Sequence, residues 1–331
     1  MESPRALVTG LTGQDGIYLA RHLLAAGWQV TGTCSPGSTG AERAARYVPG
    51  ARVVPVDLRD GEAMAALLEA EEPDHVYNLA ALTSVGRSWS EPEDTAATNG
   101  TAVVRLLDAT VRLQERLGRE VRFFQASSAE VGGTAADSPY AKAKAEAEQA
   151  IVARREQDGL FACFAVLHNH ESPLRSTAFV TRKITRGAAR IAVGAERELV
   201  LGNLDVSRDW GFAGEYVDAM HRMLGTETPV DLPLGTGVAH TLGDLIVAAF
   251  AAVGIEDPWP HVRQDPALLR PADTAHIVAD PEPAAAALGW RASVGFRELV
   301  EHMAQVDLAR ARSGVEDDAD YLLPSATVRG Q

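Results

Sequence analysis

The chain is short of three things. It has two cysteines in 331 residues, Cys34 and Cys163. Two cysteines make no disulfide framework, and neither lies in a CxxC or beside a His/Asp pair at nucleophile spacing. Both are expected to be buried or idle thiols of a reduced, cytoplasmic protein. Positive charge is also scarce: 31 Lys and Arg stand against 45 Asp and Glu, a net charge of −14. That balance excludes sequence-independent nucleic-acid binding, which needs a basic face. It leaves room for anionic small molecules, which need only a local cluster of cations. Long apolar runs are missing too. The longest, Leu245 to Ile255, is too short to span a bilayer, and Glu2 and Arg5 lead into a strand-like run rather than a signal peptide. No membrane partner and no internal repeat are expected.

What is present is an ordinary globular composition, 46% hydrophobic, in a length that suits one large α/β unit or two lobes. Short apolar runs alternate with helical ones. Strands are expected at Arg5–Thr9, Gln29–Thr33, Arg52–Val56, His75–Leu79, Val121–Ser127 and Phe161–Asn169. Helices are expected at Gly16–Ala26, Gly61–Glu71, Thr95–Leu117 (closed by Gly118) and Tyr140–Glu156. This order predicts an α/β fold with a Rossmann-like, doubly wound parallel sheet covered on both faces. After Ser172 the pattern changes to helices near Lys183–Val193 and Glu215–Leu224 among short extended pieces. A dinucleotide-binding domain over 1–172 is therefore expected, then a smaller α/β substrate lobe over 173–312. Some segments of that lobe are free to return to the first domain, and a polar tail over 313–331 lies outside the core. Substrate is expected between the lobes.

The first strand runs into Gly10-Leu11-Thr12-Gly13-Gln14-Asp15-Gly16. Three glycines at GxxGxxG spacing sit where a strand turns into a helix N-terminus. Glycine permits the tight turn and the close approach of a pyrophosphate, and the helix dipole favours the anion. The spacing is the short-chain dehydrogenase/reductase variant of the dinucleotide fingerprint. Val56-Asp57-Leu58 ends a strand where a carboxylate can accept from an adenine amine; Asp57 is equally suited to capping a helix. Asn78-Leu79-Ala80-Ala81 ends another strand, where small residues let a cofactor lie close.

The chemistry lies in Gln125–Lys144. Tyr140 and Lys144, four apart, share one helix face. A neighbouring ammonium favours phenolate, so Tyr140 can act as a base near neutral pH. Ser128, at the end of the preceding strand, can hydrogen-bond the same substrate oxygen. This set polarises a carbinol for hydride transfer to a nicotinamide. Glu130 is an additional acid/base, or else a solvent-exposed loop glutamate. Alcohol oxidation needs no second carboxylate; dehydration does, because a proton must leave the carbon beside the new ketone.

Together these residues resemble the GDP-mannose 4,6-dehydratase family of extended short-chain dehydrogenases/reductases. The resemblance runs from Ala6 to Ala309. It includes the Gly10–Gly16 loop, Gln125-Ala126-Ser127-Ser128-Ala129-Glu130, Asn169-His170-Glu171-Ser172-Pro173 and Phe179-Val180-Thr181-Arg182-Lys183. It continues through Leu201-Gly202-Asn203-Leu204-Asp205, Arg208-Asp209-Trp210-Gly211, Arg270-Pro271-Ala272-Asp273 and Leu288-Gly289-Trp290. It implies that Gly10, Thr12, Gly13, Gln14, Asp15, Gly16, Asp57, Leu58, Leu79, Ala80, Ala81, Tyr140 and Lys144 hold the cofactor. It further implies that Tyr140, with Ser128 and Lys144, takes the 4-hydroxyl proton while hydride leaves C4. Glu130 then removes the C5 proton and helps water leave C6, and hydride returns to C6. For substrate it implies Arg208, Arg270 and Asn169 at the diphosphate, Val180 and Lys183 at the nucleobase, and Asp273, where the family has a glutamate, near the ribose. Each arginine is otherwise a surface ion pair. His168, His170 and Glu171 hint at a metal, but no third ligand stands at metal spacing, and a structural role is expected. Trp210 and Trp290 are expected in the core.

Three departures from the family follow. The second strand ends in Thr33-Cys34-Ser35-Pro36-Gly37, without the arginine pair that grips the 2′-phosphate of NADP and contributes to tetramer contacts, and without the acidic residue that marks NAD. Arg43 takes their place only if the loop folds back. The cofactor expected is NADP, with NAD the alternative, and the assembly a homodimer through the long helices rather than a tetramer. Only nine residues separate Glu130 from Tyr140, a shortened loop with Gly132 in place of a tyrosine. Leu174 replaces an arginine, and Ser176-Thr177-Ala178 replaces more polar residues. The expected function is a nucleotide-sugar 4,6-dehydratase. The alternatives are another nucleotide-sugar enzyme (epimerase or 4-keto reductase) or a non-catalytic nucleotide-sugar sensor.

Overall fold

A computed structural model describes residues 3–132, 136–268 and 275–322. The chain forms two compact units: Met1–Leu167 with Val217–Leu234 and Glu282–Trp290, and His168–Tyr216 with Gly235–Pro281 and Arg291–Gln331.

The first unit is built on a parallel sheet. Its strands are β1 (Arg5–Thr9), β2 (Gln29–Cys34), β3 (Arg52–Pro55), β4 (His75–Asn78), β5 (Arg122–Ala126) and β6 (Phe161–Leu167). The second unit contributes β7 (Asn169–Glu171), β8 (Leu199–Leu201) and β9 (Ser207–Phe212), and the chain returns to the first sheet as β10 (Leu232–Leu234). The order is β10-β6-β5-β4-β1-β2-β3, every neighbour parallel. Strands of such a sheet are covered on both faces and so read as apolar runs. Leu7, Val76 and Phe123 are fully buried against Leu68, Leu107, Leu113 and Ile151 of helices Gly61–Glu71, Ala102–Leu117 and Pro139–Asp158. The order reverses between β1 and β4. The reversal of order between those two strands marks the place where open α/β sheets bind ligands.

Two expected elements are divided. The run Thr95–Leu117 is not one α-helix: Pro92–Ala96 passes through a π-turn, Ala97–Thr101, into Ala102–Leu117. The turn carries Asn99, whose amide closes both the N–H and the C=O of Leu82 at 2.9 Å. The run Phe161–Asn169 is not one strand either. It leaves the first sheet at Leu167, and Asn169 opens β7 beside β9, partnering Trp210. Trp210 and Trp290 are buried, as are Cys34 and Cys163. Burial pushes the Cys163 thiol far above its ordinary range.

The second unit pairs β9 with β7, with β11 (Ala239–Thr241) and with β13 (His276–Ile277), and pairs β8 with β12 (Val262–Gln264). Helices Val180–Ala192 and Phe296–Ser313 pack around a buried ion cluster. Asp307 accepts from Arg182 Nε on both oxygens at 2.8 Å, from Thr185 Oγ1 at 2.7 Å and from Arg310 at 3.1 Å. The tail expected outside the core starts later than Ser313. Arg310 Nε donates to the Glu316 carbonyl at 2.7 Å, and Leu322 is buried, which holds 314–322 against the last helix. No helix among the described residues is long and apolar enough to cross a membrane, and none of their His, Cys, Asp and Glu side chains form a metal-holding group of three.

Two predictions follow from these buried polar groups. Arg182 and Asp307 are 3% and 2% exposed, so Asp307→Ala leaves a buried guanidinium with only the exposed Glu316 carboxylate, 3.5 Å away, as counter-charge. It should destabilise the protein by about 3–5 kcal/mol, read as a lower urea midpoint at unchanged slope; a loss below about 1 kcal/mol would reject the assignment. In the first unit, His75 Nδ1 shares the Tyr77 hydroxyl (3.1 Å) with His221 Nδ1 (3.0 Å), under Trp28. Burial, helped by His221 and Arg122, lowers His75 to about 3; burial also lowers His22 and His221. All three fold neutral, so stability is complete above the unfolded histidine range near 6.5 and falls as pH drops below it. The melting temperature should decline from pH 7 to pH 5, and His75→Asn should flatten that decline. An identical pH slope in both proteins would show that His75 does not carry it.

Candidate active site

Glycine explains the loop after β1. Gly10 has φ +66°, and a Cβ there would lie 3.0 Å from the Ala80 backbone; at Gly16 it would lie 2.4 Å from the Gly10 carbonyl oxygen. Those two positions weld β1, the end of β4 and helix Gln14–Ala25 together. Gly13 is different. It is exposed, a Cβ on it would meet only the Gly10 oxygen at 3.3 Å, and it starts the helix with no side-chain cap. An uncapped helix N-terminus thus stands at the sheet's reversal point, where its dipole favours a pyrophosphate. Thr12, Gln14 and Asp15 sit on the same turn, with Gln14 Nε2 donating to Asp15 at 3.1 Å. A dinucleotide fits this helix end on that count, with Leu79, Ala80 and Ala81, all half-buried, flanking it after β4.

Asp57 does not cap the following helix; Asp60 does, accepting from Ala63 N–H at 3.0 Å. Asp57 instead accepts from the Arg59 amide (2.9 Å) and guanidinium (2.7 Å), which holds its carboxyl below the usual range. Leu58 turns its side chain into the core, leaving only its backbone for a ligand.

Ser138 starts the next helix by accepting from Ala141 N–H at 3.1 Å, with Pro139 in the first turn. This cap sets Tyr140 in the first turn and Lys144 one turn on, both buried. The Lys144 ammonium lies 5.9 Å from the Tyr140 ring centre and donates to the Ala126 carbonyl at 2.7 Å. Burial lowers Lys144 to about 8, opposed by Glu148 one turn further along. Ser127 points inward and donates to Glu148. Ser128 points the other way and accepts from the Glu130 amide at 3.3 Å, so Ser128 and Glu130 share one half-buried 3₁₀ turn, Ala129–Gly132. The Glu130–Tyr140 loop passes through 133–135, outside the described residues.

A string of hydrogen bonds that the sequence reading did not foresee joins these pieces. Thr9 Oγ1 donates to Asn78 Oδ1 (2.6 Å) and accepts from the Leu79 and Ala80 amides (3.1 Å each). Asn78 Nδ2 donates to Gln125 Oε1 (2.7 Å), and Gln125 Nε2 to the Ala126 carbonyl (2.9 Å), the same oxygen that Lys144 uses. The signal was there: Thr9, Asn78 and Gln125 are polar residues at the ends of apolar strands. Asn99, inside a helical run, was missed as well.

In the second unit Asn169 starts β7 and Arg208 lies on β9, largely buried, with its guanidinium on the Ser207 carbonyl at 2.9 Å. Val180 and Lys183 are one turn apart on their helix, and Lys183 lines an open cavity of about 440 Å³ with Arg186, Arg190 and Glu198. Arg270 and Asp273 lie outside the described residues. The His170 ring has structural contacts: it stacks on Tyr216, and its Nδ1 contacts the His168 carbonyl at 2.8 Å.

The family model for GDP-mannose 4,6 dehydratase matches residues 7–303. GDP-mannose 4,6 dehydratase 1 of Arabidopsis thaliana is 40% identical over 96% of this chain and 93% of its own length. GDP-mannose 4,6-dehydratase of Vibrio cholerae is 35% identical over 95% and 96%. Among solved structures, UDP-glucose 4-epimerase of Thermus thermophilus, complexed with NAD, superposes with a TM-score of 0.79 at 26% identity over 94% of this chain and all of the other. With a family match over nearly the whole chain, a site built from the family's own motifs and relatives of full length, the chain belongs to the GDP-mannose 4,6-dehydratase family.

Proposed function

We propose that the protein is a nucleotide-sugar 4,6-dehydratase that converts a GDP-mannose-like substrate to its GDP-4-keto-6-deoxy sugar. The observation that carries this reading is Ser128 hydrogen-bonded to the Glu130 amide at the start of the Ala129–Gly132 turn, followed by the helix that holds Tyr140 and Lys144. An oxidation set needs only three of these residues; the fourth is an additional acid/base.

In this reading Gly10, Thr12, Gly13, Gln14, Asp15 and Gly16 cradle the cofactor pyrophosphate. Asp57 and the Leu58 backbone face the adenine; Leu79, Ala80, Ala81, Tyr140 and Lys144 face the nicotinamide end. When bound, NADP, or NAD in its place, supplies a reversible hydride acceptor. Tyr140 takes the 4-hydroxyl proton of the sugar while Ser128 orients that oxygen by hydrogen bonding. Lys144 favours the Tyr140 phenolate by its charge, and the Ala126 carbonyl fixes the ammonium in place. Glu130 removes the C5 proton, acidified by the adjacent ketone, and returns a proton to the departing 6-hydroxyl, which leaves as water; the C5–C6 double bond so formed then regains the hydride at C6 and a proton at C5. In the second unit Asn169, Arg208 and Arg270 serve the diphosphate, Val180 and Lys183 the nucleobase, and Asp273 the ribose. Guanidinium geometry suits a phosphate bidentately.

Two measurements test this. Mass spectrometry of the enzyme with cofactor and GDP-mannose should show loss of one water. Turnover without water loss would favour an epimerase or reductase, and binding with no turnover a sensor. Glu130→Gln should cut dehydration by about 10²–10⁴-fold and abolish deuterium uptake at C5, while reduced cofactor still accumulates from C4 oxidation. Undiminished C5 exchange in the variant would remove Glu130 from the mechanism.

A further inference from the structure

We propose that Glu148 is the positioning residue that keeps the Lys144 ammonium charged and thereby sets the alkaline limit of turnover; the inference rests on the reading of Tyr140 and Lys144 as the proton-transfer pair. An ammonium has three N–H donors and a whole positive charge. The Ala126 carbonyl accepts from Lys144 at 2.7 Å but carries no charge to offset it. Lys144 is 3% exposed, so water offsets little of it either. The next turn of the helix supplies what is missing. Glu148 is four residues on, along the same face. The end of β5 holds both side chains. Ala126 takes the ammonium, and Ser127, the next residue, donates its hydroxyl to the Glu148 carboxylate. Ser127 is itself fixed, with its amide on the Ala165 carbonyl of β6 at 2.9 Å. Two consecutive strand residues thus grip two helix residues one turn apart.

The other charges around helix Pro139–Asp158 are engaged elsewhere. From β6 comes Cys163, whose thiol burial keeps neutral. Helix Ala102–Leu117 brings Asp108, which Arg154 holds. Pro92–Ala96 brings Glu93 and Asp94, both exposed, with Asp94 held by Arg59 at 3.1 Å. Val85–Ser88 brings Arg87, paired with Glu91 at 2.8 Å. The Ala129–Gly132 turn brings Glu130, itself the proposed acceptor of the C5 proton. Asp231, just before β10, pairs with Arg155 at 2.8 Å and accepts from the Phe164 amide at 3.0 Å. Burial, with Asp231 adding to it, pushes the Glu148 carboxyl up, while the Ser127 hydroxyl and the Lys144 ammonium oppose that rise. In turn burial lowers Lys144 to about 8, and Glu148 is the group that opposes it. Any further fall would take the positive charge away from Tyr140 inside the neutral range, where its phenolate needs that charge.

A rival role is that of a plain fastener: Glu148 ties the helix to β5 through Ser127, and its charge is immaterial. Glu148→Gln separates the two, because it keeps an oxygen for the Ser127 hydroxyl and removes the charge. Lys144 titrates near 8 in the folded protein and at about 10.4 in the unfolded chain. The cost of burying its charge is therefore fully present at low pH and is relieved as pH rises through the folded value. Urea unfolding of the full-length protein reads this without any turnover. Glu148→Gln should lower the folding equilibrium constant by about 3- to 5-fold more at pH 7 than at about pH 10. That difference should vanish in the Lys144→Met background. In turnover, the alkaline limb of kcat/KM should move about 0.5–1 pH unit lower in Glu148→Gln, and Glu148→Asp should stay closer to wild type. A loss equal at both pH values, a difference that survives in Lys144→Met, or an unmoved alkaline limb would overturn the proposal. No turnover of any nucleotide sugar, with the pH-dependent loss intact, would instead leave Glu148 its hold on Lys144 and remove the dehydratase reading.

Discussion

The first unit depends on one buried ammonium having somewhere to go. A lysine taken out of water costs free energy unless its protons are accepted. For Lys144 the acceptor is the Ala126 carbonyl at the end of β5, with Glu148 supplying the compensating charge. That carbonyl also accepts from Gln125, which is held by Asn78, which is held by Thr9. The Pro139–Asp158 helix, the Ser128–Glu130 segment and the glycine loop are thereby positioned by one set of hydrogen bonds running across the carboxyl ends of β5, β4 and β1. A sheet edge normally ends in loops free to drift; here its three central strands are tied at the place where chemistry is expected.

The same logic governs the second unit with a different cast. Asp209 accepts from Thr236, Gly237 and Ala279 backbone amides, and Asp307 gathers Arg182, Arg310 and Thr185. Each is a buried carboxylate whose lone pairs are used several times over. Such groups lend little net stability compared with apolar packing, but a missing partner is expensive, so they specify one arrangement of the chain. Arg182, inside a stretch that resembles a substrate-binding signature, is spent on this structural task, while Lys183 beside it faces outward.

Much of the fold was legible because parallel strands buried on both faces leave continuous Val, Leu, Ala and Phe runs. Boundaries were less so. The break at Leu167 lies within an unbroken extended run, and no local preference shows that Asn169 pairs with a different sheet. The π-turn at Ala97–Thr101 sits inside helical periodicity, and the partner of its Asn99 is the backbone of Leu82, 17 residues away. At the site, Ser128, Glu130, Tyr140 and Lys144 stand together in 17 residues of sequence, so spacing alone exposes them. Asn78 and Gln125 are 47 residues apart and become partners only through strand pairing.

By itself the sequence determined the parallel α/β architecture and the glycine turn, and it grouped the side chains proposed to react, because each depends on neighbours within a few residues of the chain. Tertiary structure alone decided what surrounds them. It gave Lys144 its acceptor, committed Asp57 to Arg59 rather than to a helix cap, and turned Leu58 into the core. It also brought Arg43 back onto Thr12, 31 residues away. Those outcomes depend on where separate segments meet, and charge, burial and hydrogen-bond partners are properties of that meeting rather than of any one stretch of sequence.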